Sequence, residues 1–388
     1  MAIMGSGAGG SGAGGSGAGG SGAGGSGAGG SGAGGSGAGG SGAGAHAGGP
    51  GTPLLNIGLT VTHDAVIGYW AGDVDLVPAG APKGFGEMRY LTAERRMTML
   101  TAELLSRFNV APALATEGDM TPTGGALHFD GEPVCKIAIP DRDTVFKEQV
   151  IWLRNYADLR ADRIPEINTQ AADILSYMGS VARLDAAGRQ STLELLTVVQ
   201  NIAYALSLQM KHFCWAPRPI DYSARIHPVI QTPDHSSFPS GHATVSFALA
   251  TVLHRLMNPG VSLRTGILGG TEKDPAVIMR IAHRISANRT VAGVHFPVDS
   301  AAGALLGCVI GDAISAILQK ATSETEIDAF QADFEASANS QQFAPTQDFL
   351  LSSFPIPNWE ALTPHRISHA GPLAAIYSRV LDQEWGSA

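Results

Sequence analysis

Residues 191–219, STLELLTVVQNIAYALSLQMKHFCWAPRP, decide the fold class. Leu195, Val199, Ile202, Leu206 and Met210 recur at three- and four-residue intervals, the period of an α-helix that buries one stripe. The stripe ends beside Lys211, so the helix delivers that lysine to a fixed place. Pro217 and Pro219 then stop the helix and set an extended turn that presents Arg218. The same periodicity marks residues 92–108, 144–160, 169–181, 241–257 and 298–319. The expected fold is all-α, a bundle of packed helices forming one domain over residues 50–388. One β-hairpin is expected at residues 127–139, where Asp130 and Gly131 separate a pair of extended runs.

The chain ahead of that domain reads differently. From Ser6 to Gly44 the pentapeptide SGAGG repeats without a substitution. Glycine with small side chains has maximal backbone entropy and almost no apolar area, so residues 1–49 are expected to be a disordered linker, either engineered or a recent repeat expansion. It hides the natural N-terminus, and the compartment is therefore not legible. The balance of 34 Asp and Glu against 25 Lys and Arg argues against nucleic acid as a partner. Cys135, Cys214 and Cys308 are far apart and odd in number, which reads as buried free thiols. No stretch is expected to span a membrane. The best candidate, residues 301–318, is interrupted by Asp312 and carries Gly303, Gly307 and Gly311 on one face, where a second helix can approach closely.

Chemistry concentrates in three short segments. Lys211 and Arg218 lie seven apart; Pro239-Ser240-Gly241-His242 follows; Arg289 and His295 lie six apart, with Asp299 four further on. Three cations, a serine hydroxyl and a glycine amide at a helix start are what a pocket for a tetrahedral oxyanion requires, because each hydrogen bond stripped from water must be replaced by a fixed donor. The arginines offer forked donors and the lysine a compact point charge. Gly241 lets an anion approach without a Cβ in the way.

In order and spacing these segments resemble the superfamily of type 2 phosphatidic acid phosphatases, bacterial class A acid phosphatases and vanadium-dependent haloperoxidases. The resemblance covers Lys211 to Asp299 and implies phosphate or vanadate held by Lys211, Arg218, Ser240, Gly241, Arg289 and His295. It implies His295 as the apical group, nucleophile towards phosphorus or ligand to vanadium, and Asp299 as the partner that fixes its tautomer. His242 is then the acid or base at the opposite apex. Asn288 departs from the pattern, which usually has Ser before the Arg.

Three features favour the haloperoxidase branch. A long helical region precedes Lys211. His235, five residues before Ser240, matches a histidine of algal bromoperoxidases where fungal chloroperoxidases have phenylalanine. GVHFPVDSAAG, residues 293–303, is similar to runs in bacterial haloperoxidase-like proteins. This branch implies vanadate as cofactor, with hydrogen peroxide, a halide (bromide or iodide rather than chloride) and a small organic acceptor as partners, and leaves a homo-oligomer open. The alternative is an acid phosphatase working through a phosphohistidine at His295. His212, His283, His365 and His369 read as ordinary core or surface residues. Lys136, Lys147, Arg95, Arg96, Arg154, Arg160 and Arg163 read as solvated charges.

Overall fold

The computed structural model describes residues 53–67, 91–116, 119–258, 277–319, 325–333, 358–367 and 371–386. The chain divides into two units, Met1–Thr92 and Ala93–Ala388. The first contains helix α1, Pro53–Ile67; the repeat stretch, 1–49, lies outside the described residues.

The second unit is mostly helical. Helix α2 is Ala93–Leu105, and strands β1 (Phe108–Ala113), β2 (Gly124–Phe129) and β3 (Glu132–Ala138) follow. A π-helical turn, Arg142–Phe146, leads into α3, Lys147–Asn155, and a 3-10 turn, Tyr156–Leu159, into α4, Arg160–Gln170. Next come α5 (Leu175–Ala182), α6 (Gln190–Phe213), the short α7 (Pro219–Tyr222), α8 (Gly241–Met257), α9 (Val277–Val291) and α10 (Pro297–Gln319). Strands β4, Thr325–Asp333, and β5, Asn358–Ile367, precede α11, Pro372–Trp385.

The decisive helix forms as the periodicity predicts, ending at Phe213 before the prolines. Helix α8 and helix α10 also match the pattern. The expected hairpin is β2–β3, with Asp130 at φ 50° and Gly131 at φ 90° in its turn, the left-handed pair that a tight hairpin demands. It belongs to a larger sheet than expected, of order β1-β2-β3-β4-β5, in which β3 and β4 run parallel and the other neighbours antiparallel. Two predicted helices are broken. Residues 144–160 change from π to α to 3-10 geometry, and residues 169–181 are interrupted between Gln170 and Leu175.

Helix α8 is the centre of the unit, packed against α6, α9 and α10. Helix α10 is buried from Pro297 to Leu318. A Cβ on Gly303 would lie 2.4 Å from the Ser240 carbonyl, one on Gly307 2.3 Å from that of Thr244, and one on Gly311 2.7 Å from that of Ala248. The glycine face therefore does what its spacing predicts, letting α8 and α10 meet backbone to backbone. The expectation that no stretch could span a membrane needs correction, since α10 is long and apolar enough to do so by length and composition. In the fold it is a core helix, and Asp312, which breaks its apolar run, pairs at 3.0 Å with buried Arg255 of α8.

Further corrections concern the charges read as solvated. Arg96 pairs with nearly buried Glu194, which also accepts from the Tyr377 hydroxyl at 2.7 Å, so α2, α6 and α11 share one polar contact. Arg160 donates to the carbonyls of Ile226, His227 and Val291 at 2.8 to 2.9 Å. Arg163 is buried against Asn288. All three cysteines are buried free thiols. His365 lies on β5, and His369 lies outside the described residues.

Candidate active site

Four helices and one turn bring the sequence-selected residues together. Lys211 stands in the last turn of α6, Arg218 in the turn after it, Ser240 and Gly241 at the start of α8, Arg289 near the end of α9, and His295 and Asp299 around the start of α10. Ser240 caps α8, its Oγ accepting from the Ala243 amide at 3.4 Å, which leaves the hydroxyl proton to be donated elsewhere. The Ser240 amide donates to the Asp299 carbonyl at 2.8 Å, tying the starts of α8 and α10 together. Pro297 occupies the first turn of α10, where its fixed φ suits a helix start. Phe296 packs between Phe146 and Tyr222, with ring centroids at 5.0 and 5.7 Å, and anchors the turn that carries His295.

His295 has one chemically allowed neutral state. Its Nε2 lies 3.1 Å from Arg218 Nη1, and a guanidinium only donates, so Nε2 carries the lone pair. Nδ1 therefore bears the proton and donates to Asp299 Oδ2 at 2.9 Å. The same carboxylate oxygen accepts from the Phe296 amide at 2.9 Å and from the Ser237 hydroxyl. Burial raises the Asp299 carboxyl to about 6, opposed by those hydrogen bonds and by the charges of Lys211 and Arg218. Burial also holds His295 well below the usual imidazole range, and the charges of Arg218 and Lys211 push the same way. Asp299→Asn, which can present an N–H to Nδ1 and reverse the tautomer, is expected to lower turnover by about 10²- to 10⁴-fold without unfolding the protein, as steady-state kinetics and circular dichroism would register.

The three cations are not equally committed. All five Arg218 N–H groups have partners: His235 O at 3.0 Å, Val294 O at 2.8 Å, His295 Nε2 at 3.1 Å, His235 Nδ1 at 3.1 Å and Ser236 O at 3.2 Å. Lys211 Nζ donates to the carbonyls of Ser236 and Ser237 at 2.7 and 3.0 Å, which accounts for two of its three protons. Arg289 is different. It is fully buried, its Nη2 donates to Ile167 O at 2.9 Å and Gln170 Oε1 at 3.4 Å, and its Nε and Nη1 have no partner among the described residues. Burial lowers Arg289 to about 10 and Lys211 well below its ordinary range. An anion beside them would shift both back towards the charged form.

His242 completes the cluster. Burial followed by the charge of Arg289 keeps its ring well below the usual imidazole range, with the main chain of Gln170 acting the other way. His235 is half-buried, and burial with the charges of Lys211 and Arg218 lowers it to about 4. A Cβ on Gly241 would meet nothing closer than Ser207 Oγ at 3.5 Å and Lys211 Cε at 3.8 Å. Protein packing thus does not require glycine there, and the helix start is open to close approach. Among the described residues no group of three or more His, Cys, Asp or Glu side chains is arranged to hold a metal ion by itself. An oxyanion bound through a single imidazole and several N–H donors fits what is present. Sequence reasoning missed Gln170, Ile167 and Arg163, which lie on α4 and reach the site through α9.

A comparison with protein families matches residues 193–323 to the PAP2 superfamily, and every residue from Lys211 to Asp299 lies inside that match. No curated protein matches the chain. Residues 193–323 are a PAP2 superfamily domain, of the superfamily that includes vanadium haloperoxidases and type 2 phosphatidic acid phosphatases.

Proposed function

We propose that this domain is a vanadate-dependent haloperoxidase that oxidises bromide or iodide with hydrogen peroxide. The observation that carries the oxyanion reading is Arg289, a wholly buried guanidinium with two nitrogens left without partners among the described residues. Such a group is costly unless a ligand completes it. Arg289, the third Lys211 proton, the Ser240 hydroxyl and the Gly241 amide would hold vanadate, with His295 Nε2 as ligand to vanadium. When bound, vanadate supplies a Lewis acid that activates peroxide at constant oxidation state.

The chain's own residues do the rest. Asp299 keeps the proton on His295 Nδ1 and the lone pair on Nε2. Arg218 Nη1 donates to that lone pair at 3.1 Å, so engaging Nε2 elsewhere releases an N–H from Arg218 beside it. His242, held neutral by burial, is the base for a substrate proton. His235 favours the haloperoxidase over the phosphatase reading, because it sets a second imidazole against Arg218, where it tunes the charge offered to a halide.

Vanadate has opposite roles in the two readings, which makes the test direct. Added to the protein freed of phosphate, orthovanadate is expected to switch on bromide-dependent halogenation of a phenolic dye by hydrogen peroxide. Failure of that assay, together with hydrolysis of a nitrophenyl phosphate that vanadate inhibits, would make the enzyme a phosphatase. His235→Phe is expected to shift halide preference or the pH optimum while vanadate affinity, measured by calorimetry, stays within about threefold.

A further inference from the structure

Helices α4 and α9 meet through a ladder of polar side chains of which the three sequence segments contain only Arg289. Glu166 and Gln170 lie one turn apart on the same face of α4. Arg284, Asn288 and Arg289 meet them from α9. Arg284 grips Glu166 with Nε at 2.9 Å and Nη2 at 2.7 Å. Asn288 Nδ2 donates to Glu166 Oε2 at 2.9 Å and to Gln170 Oε1 at 3.0 Å, and Gln170 Oε1 also faces Arg289 Nη2 at 3.4 Å.

Obligate donors fix the orientation of both amides. Arg163 Nη1 lies 3.1 Å from the Asn288 side chain and can only donate, so the Asn288 atom there is the oxygen and its other end is the NH2 group. That NH2 group and Arg289 both require an acceptor on Gln170, which makes the shared atom Oε1. The consequence is electrostatic. Arg289 rests on two neutral oxygens, from Ile167 and Gln170, while Glu166 is already paired with Arg284 and stands one amide further away.

We infer that Gln170 is a positioning residue of the oxyanion site: its Oε1 orients Arg289, and its lack of charge leaves the full Arg289 charge to the anion. A carboxylate at this place would keep the acceptor but pair with Arg289 and compete with the ligand. This inference rests on the oxyanion reading above, and is independent of the choice between haloperoxidase and phosphatase.

The test is calorimetric titration of the full chain with orthovanadate and, separately, with inorganic phosphate. Gln170→Glu is nearly isosteric and keeps an oxygen for Asn288 and Arg289, so its melting temperature is expected to equal or exceed that of the wild type. Its anion affinity is expected to fall about tenfold or more. Gln170→Met, which keeps the length and removes the acceptor, is expected to lose several-fold, because Ile167 still holds Arg289. A merely structural role predicts the reverse order, with Met worse than Glu. Wild-type affinity in a folded Gln170→Glu protein overturns the inference. If that variant does not fold, wild-type affinity in Gln170→Met overturns it instead. A wild-type protein that binds neither anion overturns the oxyanion reading itself.

Discussion

His295→Ala is expected to abolish turnover, by about 10³-fold or more, whichever of the superfamily's chemistries the assay detects. On the oxyanion reading the imidazole supplies the Nε2 lone pair that bonds the anion, and alanine offers none. The fold is expected to survive, because each partner of His295 keeps other hydrogen bonds without it. Asp299 Oδ2 keeps the Phe296 amide and the Ser237 hydroxyl, and Arg218 keeps the carbonyls of His235, Val294 and Ser236. Far-ultraviolet circular dichroism and melting temperature should match the wild type. Retained vanadate-dependent activity in this variant would remove His295 from the site.

The second large effect is on stability. Gly307→Ala is expected to cost roughly 3 kcal/mol, a fall in melting temperature on the order of 5–10 °C. The new Cβ would lie 2.3 Å from the Thr244 carbonyl and 3.0 Å from the Ala248 amide, both backbone atoms of α8 that no rotamer change can move. The gain in helix propensity from glycine to alanine is only about 1 kcal/mol, so the clash wins. Gly241→Ala is the control: its Cβ makes ordinary contacts, so the melting temperature stays and oxyanion affinity falls. An unchanged melting temperature in Gly307→Ala would mean that α8 and α10 are not in contact along this face.

These two results separate what local sequence can and cannot encode. Lys211, Arg218, Ser240, Arg289, His295 and Asp299 are legible because each sits at a fixed short offset from a helix end, and the offset itself carries the geometry. The hairpin is legible for the same reason, through Asp130 and Gly131. Helix α9 is not among the periodic segments, since His283, Ser286, Asn288 and Arg289 occupy buried positions that a periodicity argument reserves for apolar residues. Strands β4 and β5 join through a parallel pairing with β3 across nearly two hundred residues, which leaves no local mark. The N-terminus of α6 has no side-chain cap of its own. Its Ser191 and Thr192 amides donate to Glu384 of α11 at 2.7 and 2.9 Å, a cap delivered from the far end of the chain.

The hydrogen bond from the Ser240 amide to the Asp299 carbonyl joins two helices whose backbones already touch at Gly303. With no side chain between them, this half of the site has nothing that can fray before the helices themselves separate. The Ser240 amide proton is therefore expected to exchange with solvent deuterium only through global unfolding, among the slowest protons in the molecule. Warming should not loosen the site in advance of the domain, and the half-life of catalysis at high temperature should coincide with the half-life of the fold.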